Sequence, residues 1–204
     1  MSNGVIVLEI KYQNIVLRDM IEPDIEDWIR WDSVETEWMD WDAPDEPTEE
    51  INPEEYRKEL LDFVNTPRPD GFRNFFEIAT VEGLHIGRIN SYAINESYEW
   101  VSWRNPMTDS NFTAAIGIDI CDSRVWGRGY GSQAITAFIQ HFLEYGIRDI
   151  CLQTWSGNYR MIHVAEKIGF EECNRRLGNR LIRGAVYDSI TLRLNLTKFR
   201  DYQK

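Results

Sequence analysis

The stretch Trp126-Gly127-Arg128-Gly129-Tyr130-Gly131-Ser132 constrains this chain more than any other. It comes after an alternating apolar segment, Thr113–Cys121. It precedes a segment with Ile135, Phe138, Ile139, Phe142 and Leu143 at helical spacing that closes at Gly146. Alternation puts Ile116, Ile118 and Ile120 on one strand face and Ala115, Gly117 and Asp119 on the other. A strand must therefore become a helix across a few glycine-rich residues. Glycines let the backbone curl so that successive amides face one point, and the unpaired donors and dipole of the helix start add to them. Arg128 adds a full charge, and the combination suits a phosphate or pyrophosphate. A tight turn without a ligand is the alternative. A P-loop needs Gly-Lys-Ser/Thr, but Gly131 precedes Ser132-Gln133, so that motif is excluded. The dinucleotide fingerprint spaces its glycines G-x-G-x-x-G, whereas these fall at 127, 129 and 131.

The rest of the chain frames this turn as a mixed α/β order. Ile15–Arg18 is extended and leads to a short helix from about Pro23, with Ile25, Trp28 and Ile29 on one side. An irregular acidic, Trp-rich segment comes next over Trp31–Glu50, and Asn52-Pro53-Glu54-Glu55 opens a helix with a cap and a proline in its first turn. Phe75–Val81 and His85–Tyr92 form a hairpin around Glu82-Gly83. After the glycine turn and its helix come a strand at Ile150–Trp155 and a helix at Asn158–Ile168 closed by Gly169. Leu192, Leu194 and Leu196 mark a last alternating strand. The 204 residues fit one domain, with no linker, repeat or low-complexity tract to divide them.

Charge narrows the partners. Glu22 to Glu59 holds 16 acids and three bases, a local charge of −13 within a chain of net charge −12. From Arg124 onward there are 13 bases and seven acids. Duplex nucleic acid needs a basic stripe, which the acidic half argues against. No apolar run approaches the roughly 18 residues of a membrane span. The first residues, Met1-Ser2-Asn3-Gly4, lack signal-peptide features. The three cysteines, Cys121, Cys151 and Cys173, show no C-x-x-C spacing, so neither a disulfide framework nor a zinc site is expected, and the implied compartment is a reducing cytoplasm.

The glycine turn and two motifs C-terminal to it resemble a known family. Trp126-x-x-Gly129-x-Gly131 is similar to the acyl-CoA-binding turn of the GNAT superfamily of N-acetyltransferases, Gln/Arg-x-x-Gly-x-Gly/Ala, with Trp in place of Gln/Arg as in its RimJ/RimL-like branch. Asn158-Tyr159-Arg160-Met161-Ile162-His163-Val164-Ala165-Glu166-Lys167-Ile168-Gly169-Phe170 resembles that branch's helix, and Tyr187-Asp188-Ser189 its last strand. The matches span roughly Ala115 to Leu196, with a weaker echo at Ile15–Arg18 and Asp24.

The resemblance implies one GNAT domain over 1–204: a mostly antiparallel twisted sheet with a splayed parallel strand pair and flanking helices. The acceptor-side helices would fall at about 23–65 and the acyl-CoA core at about 113–196. It implies acetyl-CoA as co-substrate, with no metal. The strand end at Asp119-Ile120-Cys121 would bond the pantetheine arm through its backbone, the amides of Arg128, Gly129, Tyr130, Gly131 and Ser132 would hold the pyrophosphate, Trp126 would stand in the same cofactor-binding turn, and Asn158 would contact the arm. The implied acceptor is a small cationic amine. The alternatives are a protein N-terminus or, outside enzymes, an acyl-CoA-binding sensor or interaction domain. Association into a homodimer is left open.

Acetyl transfer to an amine needs a neutral amine, a polarised carbonyl and a departing thiolate. The family's acids, a Tyr seven residues after the Asn or a Ser three after it, are Ala165 and Met161 here. The thiolate would leave unassisted or through water. Asp119 is the candidate base, with a structural strand Asp as the alternative. Glu77 and His85 lie on central strands within reach of such a site, or serve the fold. His141 and His163 suit core or surface duty. Cys121 suits a buried apolar position better than an acyl carrier. In the acidic segment, Trp38, Asp40, Trp41 and Asp42 combine rings with carboxylates, as a cationic amine requires; an acidic surface with inward-packed Trp residues is the alternative. Arg175, Arg176, Arg180 and Arg183 read as a solvated basic hairpin.

Overall fold

The computed structural model of the protein describes residues 8–45, 47, 50–66, 68, 71–103 and 112–204. A nine-stranded sheet carries them. Its strands are β1 (Glu9–Tyr12), β2 (Ile15–Arg18), β3 (Phe75–Thr80), β4 (His85–Ile94), β5 (Trp100–Ser102), β6 (Thr113–Ile120), β7 (Ile150–Trp155), β8 (Phe170–Ile182) and β9 (Ala185–Leu194). The spatial order is β1-β2-β3-β4-β6-β7-β9-β8, with β5 paired to β4. All pairs are antiparallel except β6–β7, which runs parallel over only three residue pairs, Ala114↔Ile150 to Ile116↔Leu152. Beyond Ile116 the two strands part. A parallel pair needs a crossover, and the helix after the glycine turn provides it.

Among the described residues, five α-helices flank the sheet: α1 (Asp24–Ser33), α2 (Pro53–Asn65), α3 (Tyr130–Glu144), α4 (Tyr159–Ile168) and α5 (Leu196–Tyr202). The strand-face assignment of β6 is borne out. Ile116, Ile118 and Ile120 face the main core with Ile135, Phe138 and Phe142 of α3, while Ala115 packs in a separate cluster with Ile94 and Cys151. α1 and α2 pack together through Ile25, Ile29 and Leu60. Asn52 caps α2 by accepting from the Glu54 and Glu55 amides at 3.1 and 3.4 Å.

Three expectations change. The acidic segment is not irregular throughout, since α1 continues to Ser33 and a 3-10 turn spans Thr36–Trp38. The alternation at Leu192 and Leu194 does not extend to Leu196, because the Asn195 side chain accepts from the Thr197 and Lys198 amides and starts α5. The basic hairpin is β8–β9, and its arginines are not simply solvated. Arg180 pairs with Asp45 and Arg183 with Asp40, so this hairpin docks the acidic segment.

Candidate active site

The glycine turn is built as its spacing requires. Gly127 and Gly129 have φ of +76° and +82°, a left-handed conformation that L side chains rarely adopt. Gly129 is the residue before α3, and the first amide bonding back into the helix is that of Gln133, to the Gly129 carbonyl at 3.2 Å. The amides of Tyr130, Gly131 and Ser132 are thus first-turn donors, with Arg128 exposed beside them. A helix start of this kind suits an anion. Trp126 ties the turn to the strand: its indole N–H donates to the Ile120 carbonyl at 2.6 Å. That bond engages a carbonyl which the family resemblance assigns to the pantetheine arm.

The turn opens onto a cleft of about 710 Å³, bounded by the parting residues of β6 (Ile116–Ile120) and β7 (Leu152–Thr154) and by the start of α4. Its size is ordinary for a small-molecule site. Of the sequence-derived candidates, Asp119, Ile120, Trp126, Gly129, Tyr130, Gly131, Ser132, Asn158, Trp38, Trp41 and Asp42 line it. Asn158 is also part of the scaffold. Its Oδ1 accepts from the Met161 amide at 3.1 Å, and its Nδ2 donates to the Trp41 carbonyl at 2.7 Å. Trp41 lies against the Arg160 guanidinium, 4.2 Å from its ring centroid, and the same guanidinium is 5.0 Å from Trp126. This chain of contacts joins the acidic segment, α4 and the glycine turn.

Five candidates lie outside this lining, of which Arg128 is exposed on the turn itself. Cys121 is fully buried with Trp31 and Trp38, and burial holds its thiol well above the usual range. Asp40 pairs with Arg183. Glu77 and His85 are buried beneath α1: His85 Nε2 lies 2.9 Å from Glu77 Oε2, and His85 Nδ1 2.9 Å from Asp27 Oδ2. Burial opposes protonation of His85, but the hydrogen bonds to Asp27 and Glu77 outweigh it and raise its pKa to about 9. One ligand atom each from Asp24, Glu77 and His85 falls within a mutual 4.8 Å. Arg18, however, already clamps both oxygens of Asp24, at 2.6 and 2.7 Å, and both His85 nitrogens are bonded.

These residues belong to a row that crosses the sheet. Arg18 stands opposite Glu77, Glu77 opposite Arg88, and Arg88 opposite Asp119. The charges alternate on one face. Arg88 Nε donates to Asp119 Oδ2 at 3.3 Å and Arg88 Nη2 to Asp32 Oδ1 at 3.4 Å, while the Trp28 and Trp38 rings lie 4.1 and 4.7 Å from the guanidinium. Burial raises the Asp119 pKa, and the Arg88 charge only partly offsets it, so this carboxylate is more basic than an exposed one. Arg88 escapes sequence reasoning, along with Asn90, Tyr92 and Gln153. The last three line the cleft, and the Tyr92 hydroxyl donates to Gln153 Oε1 at 3.2 Å. Only the strand register reveals them.

The parallel pair parts beside the start of α3, as the family resemblance implies. Residues 14–171 match the model of the Acetyltransferase (GNAT) domain, so the chain belongs to the GNAT family and is an N-acetyltransferase. No curated protein sequence matches it. Among solved structures, it is similar to a GNAT-family acetyltransferase from Bacillus anthracis, with 17% identity, TM-score 0.66, and 92% of this chain and 98% of that one covered. It is similar to a spermidine N-acetyltransferase from Vibrio cholerae in complex with CoA and spermine, at 17% identity, TM-score 0.66, and the same coverages. It is also similar to RimL, a ribosomal-protein α-N-acetyltransferase in complex with CoA, at 18% identity and TM-score 0.67, covering 91% of this chain and 97% of that one. Among the described residues, no helix is long and apolar enough to cross a membrane.

Proposed function

We propose that the protein transfers the acetyl group of acetyl-CoA to a primary amine, both substrates being bound together in a single domain. The cleft carries this reading, because one continuous space is lined by the glycine turn, the parting strands and Asp119. Acetyl-CoA supplies an activated thioester. The amides of Tyr130, Gly131 and Ser132 and the Arg128 guanidinium hold its pyrophosphate. The edge of β6 beyond Ile116, unpaired by β7, receives the pantetheine arm much as another strand would. Asn158 shapes the wall by fixing Trp41 to α4.

Asp119 is the base. Its raised pKa helps it accept the amine's proton, and Arg88 fixes its orientation. The nitrogen–carbon bond forms, the carbon–sulfur bond breaks, the amine proton passes to Asp119, and the thiolate is protonated from water. Ala165 is buried in the core and Met161 carries no acidic proton, so the thiolate leaves without help from either. A thiol pKa of about 8.5 makes that tolerable. Cys121, buried and outside the lining, carries no acyl group. The test is release of free thiol from acetyl-CoA across a panel of primary amines, with the acetylated amine identified by mass. Amine-dependent release supports the reading, and CoA binding without release on any amine points to a sensor instead.

The acidic segment supports a polycationic acceptor less than its composition promises. Asp40 and Asp45 are neutralised by Arg183 and Arg180, Asp27 by Arg30 at 2.7 Å, and Asp32 by Arg88. The likeness to the RimL and spermidine enzymes leaves the acceptor to be decided by this chain's own side chains.

A further inference from the structure

A second cleft, about 490 Å³ in volume, opens against β3 and β4 where α1 and α2 cover them. Trp28, Tyr56, Leu60, Phe63 and Phe75 form its apolar walls. Asn90 and Trp103 line both clefts, so the two meet there.

One polar atom at this junction is buried without a partner, Asn90 Oδ1. Buried acceptors are nearly always bonded, so this oxygen marks a place for a donor. Asn90 stands opposite Gly117 in the strand register, and a Cβ on Gly117 would fall 2.8 Å from Asn90 Oδ1. The missing side chain lets the Asn90 amide lie across β6 one residue past the last β6–β7 pair, where the strands part. A nitrogen donating to Asn90 would be at the mouth of the acetyl cleft and on the same strand face as Asp119.

The walls say what the nitrogen is attached to. Trp28 and Phe63 already face guanidiniums, of Arg88 at 4.1 Å and Arg68 at 4.5 Å. A second cation stacked on those rings would meet like charge. Glu59, which is exposed, is the one charged residue among the described lining residues. A flat uncharged body gains apolar burial and ring–ring contact there at no such cost. We infer that the second cleft binds the apolar body of an arylalkylamine acceptor, a primary amine with one positive charge, whose nitrogen meets Asn90 Oδ1. This rests on the acetyl-transfer reading and names its substrate class.

Calorimetric titration of the full chain with CoA present, using 2-phenylethylamine, n-butylamine and spermidine, tests it. The expected result is at least about tenfold tighter binding of 2-phenylethylamine than of either other amine. Phe63→Ala should remove most of that preference, with CoA affinity and melting temperature nearly unchanged because Phe63 is 42% exposed. Phe63→Leu gives a milder second variant, and Asn90→Ala should weaken all three amines alike. Equal affinities, spermidine binding tightest, or indifference to both Phe63 variants would overturn the inference. Phe63-dependent binding without amine-dependent thiol release would overturn acetyl transfer and leave the cleft's ligand class standing. Acetylation of amines with no aryl preference would do the reverse.

Discussion

The half of the molecule that opens with β6 and the half that precedes it build their sites by different means. On the β6–α3–α4 side the chemistry lies in backbone: positive-φ glycines, first-turn amides and a strand edge left bare when β7 diverges. On the β2–β4 side it lies in side chains brought together across strands, the row Arg18–Glu77–Arg88–Asp119 and the helix residues that cover it. Backbone sites tolerate exposure, because amides need no partner other than water or ligand. Side-chain sites must be closed on themselves. Buried charges survive only when paired, so Asp32, Asp24 and Asp27 of α1 descend onto Arg88, Arg18 and His85. Asp119 belongs to both halves, on β6 but held by Arg88 of β4.

The contrast can be broken experimentally. Its largest expected effect is on the side-chain half: Arg88→Met leaves Asp32 and Asp119 as buried charges without their partner, and urea unfolding should register a loss of roughly 3–5 kcal/mol. A loss below about 1 kcal/mol would show the row to be incidental. The backbone half should respond in ligand affinity, beyond a local strain of about 1–3 kcal/mol at the turn. Gly129→Val puts a β-branched side chain at φ +82°, in the path of the anion, and CoA binding measured by titration should weaken at least about tenfold.

A pH-dependent effect also separates the halves. The His85 pKa of about 9 lies above an unfolded value near 6.5. The folded state therefore holds that proton more tightly, and the stabilisation is fully present below about pH 6.5 and fades as pH rises through 9. Melting temperature should decline across that window, and His85→Gln should flatten the decline. The smallest effect is expected at Asp40. Its carboxylate is already paired with Arg183 outside the cleft, so Asp40→Asn should change the acceptor's KM by less than about twofold. A larger rise would restore the acidic segment as the amine's attractor.

The same contrast explains what is legible in the sequence. The turn, α3, α4 with Asn158 and Gly169 at its ends, and the two faces of β6 are local patterns, and each is found where spacing places it. β8 gives no strand signal because most of its residues are exposed, leaving little apolar alternation to see. Leu196 departs from the strand pattern because Asn195 capping overrides a continuing apolar period. Arg88 and Asn90 carry no local signal at all, since their importance depends on lying opposite Asp119 and Gly117. Trp38, Trp41 and Asp42 reach the cleft while Asp40 turns to Arg183, a distinction that composition cannot draw. One clue is present in the chain: a segment of charge −13 and an arginine-rich hairpin are complementary, and they pair.

Turnover of the Asp119→Asn variant across pH tests most directly the claim that the two halves meet at one base. With acetyl-CoA and the best primary amine, kcat should fall roughly 10²–10⁴-fold while CoA affinity stays within about twofold of the parent. Turnover close to that of the parent at every pH would contradict it, leaving Asp119 a structural partner of Arg88 and the amine's proton to another acceptor.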